Sequence, residues 1–170
     1  MYNIDAMGRA ALLQIRIDEA TWSQGSPDRR HEWRLAINEI LEEGWYDGEA
    51  EGLEAHVLIG SGKVRFELRR GAEPVATHEL PLGELQPFID EYINTCREMT
   101  KLGVGTNSPR LEALDIAKRL THDEAGELVA RTLSSLKPDH ATGRRIFTLL
   151  VTLFHDTTKL AAPPHRVRYE

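Results

Sequence analysis

The chain has almost no cysteine, no long hydrophobic run and no excess of positive charge. Its single cysteine, Cys96, cannot form an internal disulfide or a cysteine-rich zinc site, so neither an oxidising compartment nor a structural metal is required. No stretch approaches the about 18 consecutive apolar residues of a membrane-spanning helix. Residues 1–10 also lack the basic and then apolar order of a secretion signal. We therefore expect a cytoplasmic protein with no cofactor and no membrane partner.

The charge of the chain disfavours nucleic acid as a partner. Lys and Arg number 21 against 27 Asp and Glu, which leaves a net charge of −6 at pH 7. This sign opposes the attraction to phosphate backbones on which nonspecific nucleic-acid binding depends. We therefore expect no nucleic-acid partner.

The rest of the composition is typical of a folded domain. Hydrophobic residues make up 41% and charged residues 28% of the 170 residues. That length is enough for one domain with a core and short for two. We predict a single domain over residues 10–158, with flexible tails at residues 1–9 and 159–170.

Two regions carry strand patterns. Residues 11–18 alternate apolar and polar side chains, as expected of a strand with one buried face. Residues 54–82 contain two short turns, at 60–62 and 71–74, which separate three strand-like segments and predict an antiparallel meander. In its middle segment Val64, Phe66 and Leu68 share one face. The other face carries charges of both signs without the aromatic side chains on which bases stack: His56, Lys63, Arg65, Glu67 and Arg69.

Helical patterns occupy most of the remaining chain. Ser26 and Pro27 begin an amphipathic helix that Gly44 ends, and Ser108 and Pro109 repeat this start after a loop at residues 103–108. Further helices are predicted over residues 82–102, 121–133 and 138–154. The sequence therefore predicts an α+β fold with a small antiparallel sheet of about four strands, covered on one face by four to five helices, in a strand order that stays open.

The segment RLTHDEAGELVARTL, residues 119–133, concentrates polar side chains. Thr121 followed three residues later by Glu124 matches a capping box, in which a threonine caps a helix and a glutamate reaches back to the cap. Asp123 and Glu124 would then also lie at the positive end of the helix dipole. This interpretation leaves His122 unexplained. A histidine in the first turn of a helix has its pKa lowered by the dipole, which favours a neutral base or simply a surface residue.

The last helix is apolar around most of its circumference, which predicts a central position in the core. Its polar residues Arg145, Thr148, Thr152 and His155 form one narrow stripe. A solvated surface is the ordinary interpretation of such a stripe. If it lines a cleft instead, Arg144 or Arg145 is the natural anchor for an anion.

Several motifs fall short of the chemistry that they suggest. His155-Asp156 near the chain end is similar to a metal-dependent phosphohydrolase signature, but no aspartate follows Asp156 to complete the metal ligands. Residues 60–63, GSGK, lack the first glycine and the Ser/Thr of a phosphate loop and predict a hairpin turn. Cys96 lies on the apolar stripe of its helix and is assigned to the core. No complete catalytic set or metal site remains.

The chain resembles the uncharacterised bacterial family UPF0262, found mostly in alphaproteobacteria. The resemblance runs over about residues 12–155 and rests on SPDRRHEW, VATHELPL, YINTCRE, LEALDIAKRLTHDEAGEL and RRIFTLLVTLFH, of which the last two are the most specific. Arg97 stands where the family pattern has an acid. The resemblance implies relatives but no reaction. It directs attention to eight candidate binding residues: His31, Glu32, Asp115, Arg119, His122, Arg144, Arg145 and His155.

Two functions stay open at this point. The first is a non-enzymatic regulatory or protein-interaction domain, which binds another protein or a second copy of itself, since no catalytic set is complete. The second is an enzyme or a protein that binds small anions in a cleft, where Arg144 or Arg145 holds the anion and His122 acts as base. Asp115 or Glu32 would orient that base. Asp115 and Arg119 can also be an ordinary ion pair four residues apart on one helix.

Overall fold

The computed structural model describes residues 11–102 and 108–160. The strands are β1 (Gln14–Ile17), β2 (Glu54–Gly60), β3 (Lys63–Arg70) and β4 (Glu73–Pro81). The helices are α1 (Glu19–Gln24), α2 (Pro27–Glu43), α3 (Leu82–Leu102), α4 (Pro109–Thr132) and α5 (His140–Phe154), followed by a 3-10 turn at Thr157–Lys159. Of the predicted loop at residues 103–108, the structure describes only Ser108. The predicted tails at residues 1–9 and 159–170 lie outside the described residues, except for Lys159 and Leu160.

The four strands form one sheet in the order β1-β2-β3-β4. β2, β3 and β4 are an antiparallel meander, and the α+β class with four strands is confirmed. β1 pairs with β2 in parallel, so the sheet is mixed and not wholly antiparallel. The reason is the connection between them: α1 and α2 carry the chain back across the sheet, and such a crossover is what a parallel pair requires.

The two faces of the sheet differ as the alternation predicts. Val64, Phe66 and Leu68 are buried, whereas the intervening side chains of β3 are partly exposed. A small apolar cavity lies where the buried face meets the helices, and its walls come from the sheet, α2, α5 and the turn after α4. The core therefore lies between the sheet and this helical layer.

The turn between β2 and β3 confirms the hairpin interpretation of the GSGK segment. Ser61 and Gly62 have φ angles of 55° and 74°, which are the left-handed conformations of a two-residue hairpin turn. Lys63 is already the first residue of β3 and contacts Glu79 across the sheet.

The capping box at Thr121 is wrong, because α4 is one continuous helix of 24 residues. Ser108 is its N-cap and accepts a hydrogen bond from the amide of Leu111, as predicted for the Ser-Pro start. Residues 110–125 contain no glycine or proline, so nothing ends the helix before Thr121. Thr121 lies in the middle of α4 and is buried.

The helices α4 and α5 are joined by a short turn and approach each other closely at two glycines. A Cβ on Gly143 would lie 2.5 Å from the carbonyl oxygen of Gly126, and a Cβ on Gly126 would lie 2.8 Å from Cγ of Arg144. Both distances are shorter than any carbon atom tolerates. The two glycines therefore allow the helices to pack at this distance.

The central position of α5 is confirmed, since every residue from Ile146 to Leu153 is buried. Its polar stripe is not solvated as expected: Thr148 is 7% and Thr152 1% exposed. The carbonyl oxygen of Thr152 accepts a hydrogen bond from Nε1 of Trp33 on α2. The stripe is buried because α2 and α4 cover both sides of the helix.

Candidate functional site

The eight predicted site residues do not converge in one pocket. The hydrogen bonds and ion pairs of the described residues divide them among several places. His122 and Arg144 contact each other between α4 and α5. Arg145 faces α2, and His155 contacts α3. His122 and Arg144 form the His and Arg grouping that the anion-binding hypothesis requires.

His122 lies in the interior, 5% exposed, and both of its ring nitrogens face α5. Nδ1 lies 3.2 Å from Nη2 of Arg144, and since a guanidinium can only donate, Nδ1 is the acceptor. The proton of the neutral ring is therefore on Nε2. That nitrogen donates to the carbonyl oxygen of Arg144 at 2.9 Å and also lies 3.0 Å from Oγ1 of Thr148. The ring packs against Tyr92 and Phe147 at centroid distances of 5.5 and 5.7 Å.

Burial is the largest cause that lowers the pKa of His122, and with the positive charges of Arg144 and Lys118 it brings that pKa to about 4. The direction agrees with the sequence prediction, but the cause differs. His122 is not in the first turn of a helix, so a helix dipole does not act on it. The imidazole is neutral at physiological pH because the surrounding protein does not solvate its charged form.

A row of polar contacts runs from His122 to the surface. Arg144 donates from Nη1 to Oδ1 of Asp123 at 3.2 Å, and its side chain is 20% exposed. Nε2 of His140 lies 3.1 Å from the same oxygen, and the His140 side chain is 52% exposed. We call His122, Asp123, His140 and Arg144 the polar cluster. Its only strongly exposed member is His140.

The polar cluster is better suited to holding two helices together than to proton transfer. Both nitrogens of His122 are occupied by α5, so the ring would have to break a hydrogen bond to take a proton from a substrate. The guanidinium of Arg144 is already beside the carboxylate of Asp123, with which an incoming anion would compete. The cluster therefore links α4 to α5 through charge-assisted hydrogen bonds.

Arg145 belongs to the contact between α2 and α5. Nε of Arg145 lies 3.4 Å from Oε1 of Glu39, an ion pair between partly exposed side chains. Glu32 is buried at 5% exposure on α2, whereas His31 beside it is exposed.

Asp115 and Arg119 form the predicted i,i+4 ion pair, with Oδ2 and Nη2 separated by 2.8 Å. The Arg119 side chain is 65% exposed and that of Asp115 40%. Exposed pairs of this kind contribute little to stability because water screens them. Both residues lie on the outer, exposed side of α4.

His155 lies at the opposite end of α5 from the polar cluster. Its Nε2 is 3.2 Å from Nη2 of Arg97, and its pKa is lowered by burial and then by that positive charge. Asp156 caps the following 3-10 turn by accepting from the amide of Thr158. Arg29 of α2 donates to the carbonyl oxygens of Thr152 and Leu153, which satisfies the last turn of α5.

The sequence hypotheses included neither Arg29 nor His140, and they assigned Asp123 to a cap. For His140 and Asp123 the sequence did contain a signal. Two long helices joined by a short turn run antiparallel, so residues of α4 and α5 whose numbers add to a nearly constant sum lie opposite each other. His122 and Asp123 near Arg144, and Gly126 near Gly143, follow that rule.

The outer side of α4 carries a second feature. Ile116 and Leu120 are 58% and 56% exposed, the highest values among the large hydrophobic residues that the structure describes. They are one helical turn apart, and Pro109 and Ala113 lie exposed on the same side. We call these four residues the α4 face.

Comparison with known proteins identifies relatives of the chain. A family model described as Uncharacterised protein family (UPF0262) matches residues 9–156. The chain belongs to family UPF0262. The resemblance predicted from the sequence is thereby confirmed.

Bacterial UPF0262 proteins match almost along their whole length. One from Methylobacterium radiotolerans is 33% identical over 153 residues, which cover 86% of this chain and 94% of the relative. Another from Bradyrhizobium diazoefficiens is 30% identical over 149 residues, covering 84% and 90%. No solved structure matches the chain. The UPF0262 name states no activity, so the functional argument depends on the residues themselves.

Within residues 11–102 and 108–160, no group of three His, Cys, Asp or Glu side chains is placed to hold a metal ion. In the same part of the chain, no helix is long and apolar enough to cross a membrane. Cys96 is buried, as predicted, and burial raises the pKa of its thiol.

Proposed function

We propose that this chain is a non-enzymatic, cytoplasmic protein-interaction domain whose contact surface is the α4 face. The observation that carries the proposal is the exposure of Ile116 and Leu120 side by side on a helix whose other sides pack against α3 and α5. Single exposed hydrophobic residues are common on protein surfaces, but adjacent ones that create an apolar patch favour an interaction site.

The surroundings of the α4 face support this role. Glu112 and Arg119 are exposed beside the apolar residues, so the patch has charged side chains along its rim. An apolar centre with a polar rim is the usual arrangement of a protein interface. In the polar cluster, by contrast, the ring of His122 is turned inward and both of its nitrogens are occupied.

The test is recovery of a partner from a native bacterial extract by the affinity-tagged chain. We expect a partner in stoichiometric amount with the wild type, and its loss with the double substitution Ile116→Glu and Leu120→Glu. The matched control is Leu35→Glu with Val75→Glu, since those side chains are also exposed, at 37% and 41%, but lie on α2 and β4. The control should retain the partner, and circular dichroism should show both variants folded.

Two results would contradict the proposal. One is a wild-type chain that is monomeric by light scattering and recovers no stoichiometric protein. The other is a partner that both double variants retain equally, which would place the interaction elsewhere on the surface.

A second candidate is a small-anion binding protein or enzyme that uses the polar cluster. The observation in its favour is the 3.2 Å contact between His122 and Arg144, the two residues that the sequence hypothesis paired. Inorganic phosphate and a set of small carboxylates should then raise the melting temperature, and Arg144→Gln should abolish the rise. A ligand at a hundredfold its dissociation constant adds about 2.7 kcal/mol of stability. If no compound shifts the melting temperature, this candidate fails.

A further inference from the structure

We infer that the α4 face binds a second copy of this chain, with the two α4 helices antiparallel. The inference rests on the proposed function and names the partner for the same surface. It is drawn from the apolar and charged positions along α4.

The apolar positions of the α4 face have the spacing of a helix-packing seam. Pro109, Ala113, Ile116 and Leu120 follow one another at steps of four, three and four residues. In an antiparallel pair, residues whose numbers add to a constant lie opposite each other. A sum of 229 places Ala113 opposite Ile116 of the second copy, and Pro109 opposite Leu120. Every seam position then meets an apolar side chain, and each large residue meets a smaller one.

The charges beside the seam fit the same register. Glu112 and Arg119 lie on one flank of the α4 face, one residue before Ala113 and Leu120 respectively. Flanking residues on the same side meet across an antiparallel pair. Glu112 of each copy therefore lies near Arg119 of the other, which gives two ion pairs related by the two-fold axis. Arg119 contacts Asp115 within its own chain and is exposed enough to turn toward a partner.

A parallel pair fits less well. Every residue of the seam would then face its own copy, and the seam continues beyond Leu120 to the exposed, acidic Glu127. The two Glu127 side chains would face each other directly, which destabilises the contact. In the antiparallel register Glu127 lies beyond Pro109, the first residue of the partner's α4. Opposed helix dipoles favour the same arrangement.

The size of the contact determines how tight the dimer should be. Residues 109–120 form a helix segment about 18 Å long. A single pair of such segments buries less than the about 800 Å² per partner of a standard interface. We therefore expect a reversible dimer with a dissociation constant in the micromolar range, of order 1–100 μM.

The experiment is sedimentation equilibrium of the full chain over a concentration series up to about 1 mM. The wild type should show a monomer–dimer equilibrium. Ile116→Glu and Leu120→Glu should each raise the dissociation constant by at least about a hundredfold, and Leu35→Glu should leave it unchanged.

A charge reversal tests the register independently of the apolar residues. Glu112→Arg alone and Arg119→Glu alone should each weaken the dimer by about tenfold, because each places like charges at both pairs. The double variant should regain the wild-type constant, since both pairs are restored with reversed sign. In a parallel dimer Arg119 would lie near Glu124 of the partner, so Arg119→Glu would stay repulsive and the double variant would not recover.

The outcomes separate this inference from the proposed function. A wild type that stays monomeric, or a double charge variant that does not recover, overturns the antiparallel self-pairing. If the chain stays monomeric but recovers a different protein through Ile116 and Leu120, the interaction domain stands and only the identity of its partner is wrong. If neither occurs, both fail.

Discussion

His122 shows how a residue can be singled out correctly for the wrong physical reason. The sequence places it beside acidic residues at an apparent helix start, where a dipole would lower its pKa. In the structure the pKa falls to about 4 because the ring is buried against α3 and α5. The residues next to His122 in the sequence do not show that helices distant in the sequence bury it.

The pH dependence of stability tests this environment. The folded pKa of His122, about 4, is below the value of 6.5 in an unfolded chain, so the unfolded state binds more protons at acidic pH. Stability from this residue is complete above pH 6.5 and is lost as the pH falls from 6.5 toward 4. The loss should reach roughly 3 kcal/mol. Urea unfolding of the wild type between pH 7 and pH 4 measures it.

The control for this prediction is His122→Gln, which cannot titrate and can still donate to the carbonyl oxygen of Arg144. Because His78 and His155 also have pKa values lowered by burial, the comparison of the two proteins isolates His122. The stability of the His122→Gln variant relative to the wild type should improve steadily as the pH falls. Parallel curves for the two proteins, or an NMR titration of the ring near pH 6.5, would contradict the prediction.

At the scale of elements, the helix α4 distinguishes a real helix cap from a sequence pattern that only resembles one. The Ser-Pro start at residues 108–109 is a real cap, whereas the equally good Thr-x-x-Glu pattern at 121–124 is internal to the helix. Both patterns are short, and a continuous run of helix-forming residues between them removed the second start. Local motifs therefore predict a helix start only where the preceding residues cannot be helical.

Cap substitutions distinguish these two sites. Ser108→Ala removes the acceptor for the amide of Leu111 and should cost about 1 kcal/mol. Glu124→Gln should change stability by less than about 0.5 kcal/mol, because Glu124 is exposed in mid-helix and caps nothing. Chemical denaturation of both variants is the measurement. A larger loss at Glu124 than at Ser108 would restore the capping box.

The crossing of α4 and α5 gives a second prediction at this scale. Gly143→Ala would normally stabilise a helix by up to about 1 kcal/mol, but here the new methyl group would meet the Gly126 carbonyl. The helices must separate, so we expect a net loss of roughly 2 kcal/mol in the free energy of unfolding. Gly83→Ala on α3 is the matched control, since nothing lies within 4 Å of its added carbon.

The control should be neutral or slightly more stable. Urea unfolding of both variants provides the comparison. Equal behaviour of Gly143→Ala and Gly83→Ala would mean that the helices do not approach as closely as described.

At the scale of the whole molecule, the core joins the sheet to helices from both ends of the chain. The apolar cavity in this core is lined by residues of the sheet, including Ala55 and Val57, and by Ile40 and Leu149 of the helices. Sequence patterns that identify each buried face do not specify how well the faces fit together.

Filling the cavity should stabilise the protein. Val57→Ile adds one methylene group toward it and should raise the free energy of unfolding by about 0.5–1 kcal/mol. Val64→Ile is the control, because Val64 is fully buried on the same sheet face but does not line the cavity. Overpacking should make that variant less stable by about 1 kcal/mol or more. Calorimetry measures the stability of both variants. Equal destabilisation of Val57→Ile and Val64→Ile would contradict the prediction.

The sequence by itself determined the α+β class, the meander, the central position of α5, the core assignment of Cys96 and the family. Each of these depends on periodicity, turn residues or local motifs, which act over a few neighbouring residues. Tertiary structure alone decided the parallel pairing of β1, the continuity of α4 through Thr121 and the burial of His122. It also left Ile116 and Leu120 exposed. These features depend on contacts between segments far apart in the chain, and their geometry is set when the helices and sheet pack together.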